Sequence, residues 1–284
     1  SLWIGDNMYA DTEDDPQVII DSYAQLASLP GFDELKGLSD FIVTWDDHDF
    51  GDNNEGGSYI LKEESMQIFR EFWGMEELIP ADQPGIYHSR FVDAEGFRIQ
   101  FIMLDPRYNR DDPRPDGKGD TLGEEQWAWL EGELKKEADL RFVVSGYQVL
   151  LNADAGSETW EAFPQAKQRL FDLIKTTGTE DVIFMAGDQH YGEVNRQQGA
   201  LGYDAIELQF AAVNQIEEPE KNIYRVSTVA SSRDSYAWID LYPKGTEEDL
   251  PHLQFTIRSH DTDQNEVSYR VNLHELKMQI KVLG

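Results

Sequence analysis

Residues 44–54, TWDDHDFGDNN, set Asp46, Asp47, His48 and Asp49 side by side, directly behind the apolar run FIV at 41–43. Adjacent carboxylates repel one another unless a cation or strong donors compensate them. Carboxylates with an imidazole suit metal ligation or acid–base chemistry. The other reading is a solvated acidic turn, for which Gly51, Asn53 and Asn54 are ordinary formers. This segment alone does not choose between the two.

Four further apolar runs end in the same manner. LWI at 2–4 leads into GDNMYAD, IQFIML at 99–104 into DPRYNR, FVV at 142–144 into SGYQ, and VIFMA at 182–186 into GDQHYGE. Runs that are continuous instead of alternating mark strands buried on both faces. Layered α/β proteins gather their binding sites beyond the carboxyl ends of such strands. Five polar clusters at five equivalent places therefore predict one constellation, and TWDDHD reads as part of a metal cradle. Asp6, Asp47 and Asp188 would supply anionic ligands and His190 a nitrogen. That set suits a pair of ions such as Zn, Mn or Fe, whereas all-oxygen sites suit Ca or Mg. A shared carboxylate would hold two ions roughly 3.5 to 4 Å apart, the spacing of hydrolytic two-metal chemistry.

The elements that must position these clusters are partly visible. Asp15 before Pro16 predicts a capped helix with Ile19, Ile20, Tyr23 and Leu26 at helical spacing. Thr121 with Glu124 matches a capping box ahead of Trp127, Leu130 and Leu134. After Pro164 the set Leu170, Leu173 and Ile174 runs to a stop at Gly178. Beyond residue 200, AIELQFAAV, YRVSTVAS, SYAWIDLY, LQFTIRS and VSYRVNL read as strands, while LHELKMQIKVLG is ambiguous between helix and strand. The pattern predicts a layered α/β domain with at least one mixed or antiparallel sheet. With no linker or repeat in its 284 residues, the chain reads as a single domain whose residues after about 214 form a strand-rich second sheet.

Composition removes several functions. The net charge of −31 and isoelectric point near 4.3 argue against nucleic-acid binding through a basic surface. Such acidity also occurs in proteins of saline habitats, where salt screens self-repulsion. There is no cysteine, so disulfides and thiolate ligands are excluded. No apolar segment approaches the roughly 20 residues that span a bilayer, so no membrane partner is expected. An EF-hand register fails from Asp47, which places Asp52 and Ser58 where glycine and glutamate belong, and from Asp116, which fails at Lys118. GxSxG and P-loop sequences are missing, and Ser145 in SGYQ lacks the glycine-flanked turn of a serine hydrolase.

Taken in order, GDNMYAD, WDDHDFGDNN, LDPRYNR, SGYQVL and GDQHYGE resemble the alkaline phosphatase D (PhoD-like) branch of the calcineurin-like metallophosphatases, from Ser1 to about Asn214. The resemblance implies a sandwich of two mixed β-sheets flanked by helices, with two or more metal ions at the strand ends. It implies Asp6 as a metal-bridging carboxylate and Tyr9 as a phenolate ligand to ferric iron. Asp47 stands where related phosphatases carry the asparagine of a GNH motif, a second-metal ligand, and His48 matches the histidine that contacts phosphate and leaving group. Asp188 replaces the first histidine of the GHxH motif and His190 keeps the last. Iron and calcium are the implied ions, with zinc or manganese as alternatives. Arg107 resembles the arginine of an LDTR motif, placed to meet a phosphate oxyanion or to hold its own loop. Gln148 follows the fourth strand, where others place a histidine ligand; it either ligates through its carbonyl oxygen or caps the strand. In this branch a further N-terminal strand with another ligand, often a cysteine in a GSC motif, precedes GDxxY; this sequence begins at the second strand, so that part either lies outside it or has been lost. His88 is expected to have a surface or packing role, and His252, His260 and His274 none in chemistry. The sequence starts at Ser1 without a signal peptide, so any targeting segment is expected to have been removed or never to have existed; a periplasmic or secreted enzyme is expected. The expected activity is hydrolysis of small phosphate esters, monoesters or diesters, by water that metal ions bring to hydroxide near neutral pH. A phosphotriesterase, a nuclease or a non-catalytic metal-binding relative are the rival readings.

Overall fold

The computed structural model describes residues 1–152, 158–211, 217–230, 235–244, 250–260 and 264–278. Strand β1 (Leu2–Ile4) pairs in parallel with β2 (Ile42–Thr44). The main sheet has six strands in the order β3 (His88–Ala94), β4 (Phe97–Met103), β5 (Leu140–Ser145), β6 (Val182–Ala186), β8 (Ala205–Gln209) and β7 (Glu193–Gln197). β4, β5, β6 and β8 run parallel, while β3 and β7 close the two edges antiparallel. Every residue of β5 and β6 is buried, as their unbroken hydrophobicity predicts. The third sheet, β11 (Asn265–Asn272), β10 (His252–Ser259) and β9 (Ser235–Tyr242), is antiparallel throughout. The fold is thus α/β, with one mixed six-stranded sheet flanked by helices, a separate three-stranded antiparallel sheet and the parallel β1–β2 pair.

Two cores hold these layers. The larger packs Trp127, Leu130 and Leu134 of α5 (Glu124–Leu134) and Leu170, Phe171 and Ile174 of α6 (Pro164–Thr176) with β4–β6, together with Leu253, Phe255, Ile257 and Val267 from the antiparallel sheet. The smaller joins Ile19, Tyr23 and Leu26 of α1 (Pro16–Ala27), Phe32 of α2 (Phe32–Leu38) and Phe69 of α4 (Lys62–Trp73) to Val43 and Trp45 beside β2. A side-chain hydrogen bond from Thr44 to the carbonyl of Leu104, 3.2 Å, ties the end of β2 to the end of β4. The carboxyl ends of strands from both cores therefore lie together. No helix among the described residues is long and apolar enough to cross a membrane.

Several local expectations change. Asp15 does cap α1, accepting from the Gln17 N–H at 2.9 Å, but Ile20 is 45% exposed and lies off the buried stripe. Thr121 does not cap α5: its hydroxyl is drawn inward to the Pro106 carbonyl and the Tyr147 hydroxyl, and Gly123 takes the cap position. Residues 224–230 make only the isolated bridges Asn195–Arg225 and Gly192–Ala230 instead of a strand. Leu273–Leu276 form a 3-10 turn. The boundary expected near Asn214 and the tail from 279 lie outside the described residues.

His88 opens β3 as a packing residue. It is 3% exposed, its Nδ1 lies 2.9 Å from the Ile86 carbonyl, and burial pushes its pKa down to about 4. The unfolded chain, with an ordinary histidine near 6.5, takes up a proton that the native chain refuses. Stability from this group is therefore complete above about pH 6.5 and lost as pH falls towards 4. Denaturant unfolding at pH 7 and pH 5 should show His88→Gln losing about 2 kcal/mol less than the parent over that interval.

Candidate metal centre

Three turns build the centre. Asp6 and Tyr9 follow β1, residues 46–49 follow β2 and open the one-turn helix α3 (Asp47–Phe50), and Asp188 and His190 follow β6. Two glycines make the approach feasible. A Cβ on Gly5 would strike the Cβ of Asp46, and one on Gly146 would strike its carboxylate, so only glycine lets three strand ends close around this side chain. The backbone is bent to suit: Asp6, Asp188 and His190 all adopt the left-handed region, with φ of 49°, 72° and 53°. That conformation is uncommon for side chains with a Cβ and concentrates at functional turns.

Asp6 Oδ2 lies 3.2 Å from His190 Nε2 and 3.5 Å from the Tyr9 hydroxyl, which is itself 3.3 Å from the same imidazole nitrogen. Asp6, Asp47 and His48 place ligand atoms within 4.8 Å of one another, as do Asp46, Asp47, Glu158 and Asp188. Asp6 and Asp47 are thus shared corners of adjoining groups. Asp6 Oδ1 and Asp46 Oδ2 are buried with no hydrogen-bond partner among the described residues. Buried acceptors of this kind, on anionic groups, are what a cation would satisfy. The residues fit metal ions: carboxylates, a phenol and an imidazole suit iron, manganese or zinc, and the four-carboxylate group suits a hard ion such as calcium.

The electrostatics are those of a charge surplus. Burial foremost, then Glu158, Asp47 and Asp6, push the Asp188 carboxyl well above the usual range. Burial does the same to Asp46 despite Arg107 beside it, and it raises Asp6 as well. Asp47 goes the other way: burial opposes its charge, but Arg107, His48 and the N–H groups of Asn54 and His48 outweigh it. For His48, burial favours the neutral ring, yet Asp47 and Asp11 more than offset this and raise its pKa.

Arg107 is the internal counter-ion. Its Nε donates to Asp46 at 2.7 Å and its two terminal nitrogens to Glu158 at 2.8 and 2.5 Å, with Asp47 at 3.7 Å. The side chain is 0% exposed, and its guanidinium faces protein carboxylates. Gln148 is fully buried, its amide nitrogen 3.3 Å from Glu193 and its carbonyl oxygen without a hydrogen-bond partner among the described residues.

Sequence reasoning passed over four contributors. Asp46 lies in the acidic run yet was given no role. Asp11 meets His48 Nδ1 at 2.5 Å, and Arg110 pairs with Glu158. Glu158 carries no motif at all; only the fold brings it 51 positions back to Arg107.

The PhoD-like phosphatase family profile matches residues 20–245 of the chain. The chain belongs to the PhoD-like phosphatase family. It is 22% identical over 199 residues to alkaline phosphatase D of Bacillus subtilis (strain 168), an alignment covering 59% of this chain and 34% of that protein. The match thus spans about a third of the curated relative's length. Among solved structures, that of PhoD superposes with a TM-score of 0.68 at 14% identity, covering 99% of this chain and 67% of the other. Purple acid phosphatase PPD1 from yellow lupin (Lupinus luteus) seeds gives 0.56, also at 14% identity, covering 100% and 49%. These likenesses establish a metallophosphatase-like fold.

Crowded carboxylates make a direct prediction. In chelator-stripped protein, Asp188→Asn should melt higher than the parent because the cost of burying or protonating that carboxyl is gone, while added Ca²⁺ or Mn²⁺ should stabilise it less. For the parent, a cation at 100 times its Kd is worth about 2.7 kcal/mol, and a melting curve indifferent to chelator and cation would contradict the assignment.

Proposed function

We propose that the chain is a metal-dependent hydrolase of small phosphate esters, monoesters or diesters. The observation that carries this reading is the convergence of Asp6, Tyr9, Asp47, His48, Asp188 and His190 from three strand ends in a chain of this family. Cations held there would supply Lewis acidity toward phosphoryl oxygens and bring water to hydroxide near neutral pH; iron and calcium are the ions we expect, with manganese or zinc as substitutes.

The chain's own residues divide the remaining work. Asp6 and Asp47, as shared corners of the adjoining groups, would each hold cations from both sides. His190 and Tyr9 complete the side around Asp6, Asp188 the side around Asp47, and Gln148 has a free carbonyl oxygen to add as a ligand. His48 is the residue for the leaving group. Asp11 engages its Nδ1 at 2.5 Å, which leaves Nε2 as the nitrogen able to give a proton to the departing oxygen, and the Tyr9 ring packs 4.4 Å from the imidazole. Arg107 acts by pairing with Asp46 and Glu158 and holding both in place, which leaves phosphate charge to the cations.

His48→Ala should lower kcat/KM about 10²- to 10⁴-fold without loss of bound metal, and the loss should be larger for an alkyl phosphate than for an aryl phosphate, whose leaving group needs less protonation. Asp11→Asn should show the same leaving-group dependence at smaller size. Equal losses of metal and activity would make His48 a ligand instead. Rates on aryl monoester, diester and triester substrates separate phosphatase, phosphodiesterase and phosphotriesterase readings, and bound metal with no turnover on any of them would mark a binding protein.

A further inference from the structure

We infer that Asp49, which faces no solvent, is the positioning residue that locks the two turns carrying Asp6 and Asp46 to one another. It is 0% exposed and sits at the third position of α3. Its Oδ2 accepts the backbone N–H of Asp6 at 2.9 Å and that of Asp46, also at 2.9 Å. Its Oδ1 accepts from the side-chain amide of Asn7, which also donates to the Thr44 carbonyl at 2.9 Å. The Asp46 bond is local, half of a capping box. The Asp6 bond spans 43 positions and joins the turn after β1 to the turn after β2.

The geometry gives this bond a particular task. Asp6 is held at a φ of 49°, a conformation its own side chain disfavours. Something outside the residue must fix the peptide plane, and Asp49 grips its N–H. Asp6 and Asp46 hang by their backbone N–H groups from one oxygen atom, which fixes the two turns that carry their carboxylates relative to one another. An asparagine in place of Asp49 supplies one acceptor where the carboxylate supplies two. Either the two backbone N–H groups or the Asn7 amide would then face an NH₂.

This inference rests on the reading that Asp6 and Asp47 hold cations. Its test is calorimetric titration of Mn²⁺ into chelator-stripped full chain, for the parent, Asp49→Asn and Asn7→Ala, with circular dichroism to confirm folding. Asp49→Asn should weaken Mn²⁺ binding 10- to 100-fold, the usual effect of losing a partner that orients a ligand. Asn7→Ala, which keeps both backbone bonds, should weaken it less. A merely architectural Asp49 would lower the melting temperature and leave the affinity of the folded chain unchanged, which overturns the inference. Should Asp49→Asn not fold, unchanged affinity in Asn7→Ala overturns it equally. A parent chain that takes up no Mn²⁺ overturns both this inference and the reading beneath it.

Discussion

Asp46, Asp47, Glu158 and Asp188 share a space in which their ligand atoms lie within 4.8 Å, and Asp6 adjoins them through Asp47. At such separations, away from water, like charges cost far more than a marginally stable domain can spare. The structure answers with one fully buried guanidinium, Arg107, reinforced by Arg110 on the Glu158 side. Those two cations are fewer than the carboxylates they face. Protons can cover the deficit, as the raised pKa values of Asp6, Asp46 and Asp188 indicate, or metal ions can. Everything else in the fold can be read as a device for holding this surplus in place.

Parallel strands are the first device. β4, β5 and β6 end at one edge of the main sheet, and the Thr44 hydroxyl ties the β1–β2 pair to that edge. Small residues are the second, since Gly5 and Gly146 leave Asp46 room that any Cβ would take. Strained backbone is the third, at Asp6, Asp188 and His190. Two separate hydrophobic cores keep these turns from relaxing, one under each set of strands. The same burial that fixes the ligands raises the energetic stakes of their charge.

The extent to which this was legible in the amino-acid sequence follows from how local each interaction is. Continuous apolar runs announced β5 and β6 because burial on both faces needs no partner information. Asp15–Pro16 announced α1 because a cap is a contact between near neighbours. The acidic motifs behind the strands were visible for the same reason. Thr121 misled because its hydroxyl found Pro106 and Tyr147 across the fold, a tertiary bond that outcompeted the local cap. Glu158 was invisible because its partners, Arg107 and Arg110, lie 51 and 48 positions away. Arg107 was legible as a residue of the site but not in its orientation, which depends on Asp46 and Glu158 flanking it.

The central claim is that these turns converge to hold cations. It is tested most directly by diffraction from crystals of the chain soaked in Mn²⁺, collected at an energy where manganese scatters anomalously. The account predicts an anomalous peak within ligand distance of Asp6, with Asp47 and His190 around it and the unpartnered oxygen of Asp6 turned toward it. Well-ordered carboxylates with no peak among them, at a Mn²⁺ concentration that loads other metal-dependent phosphatases, would contradict it.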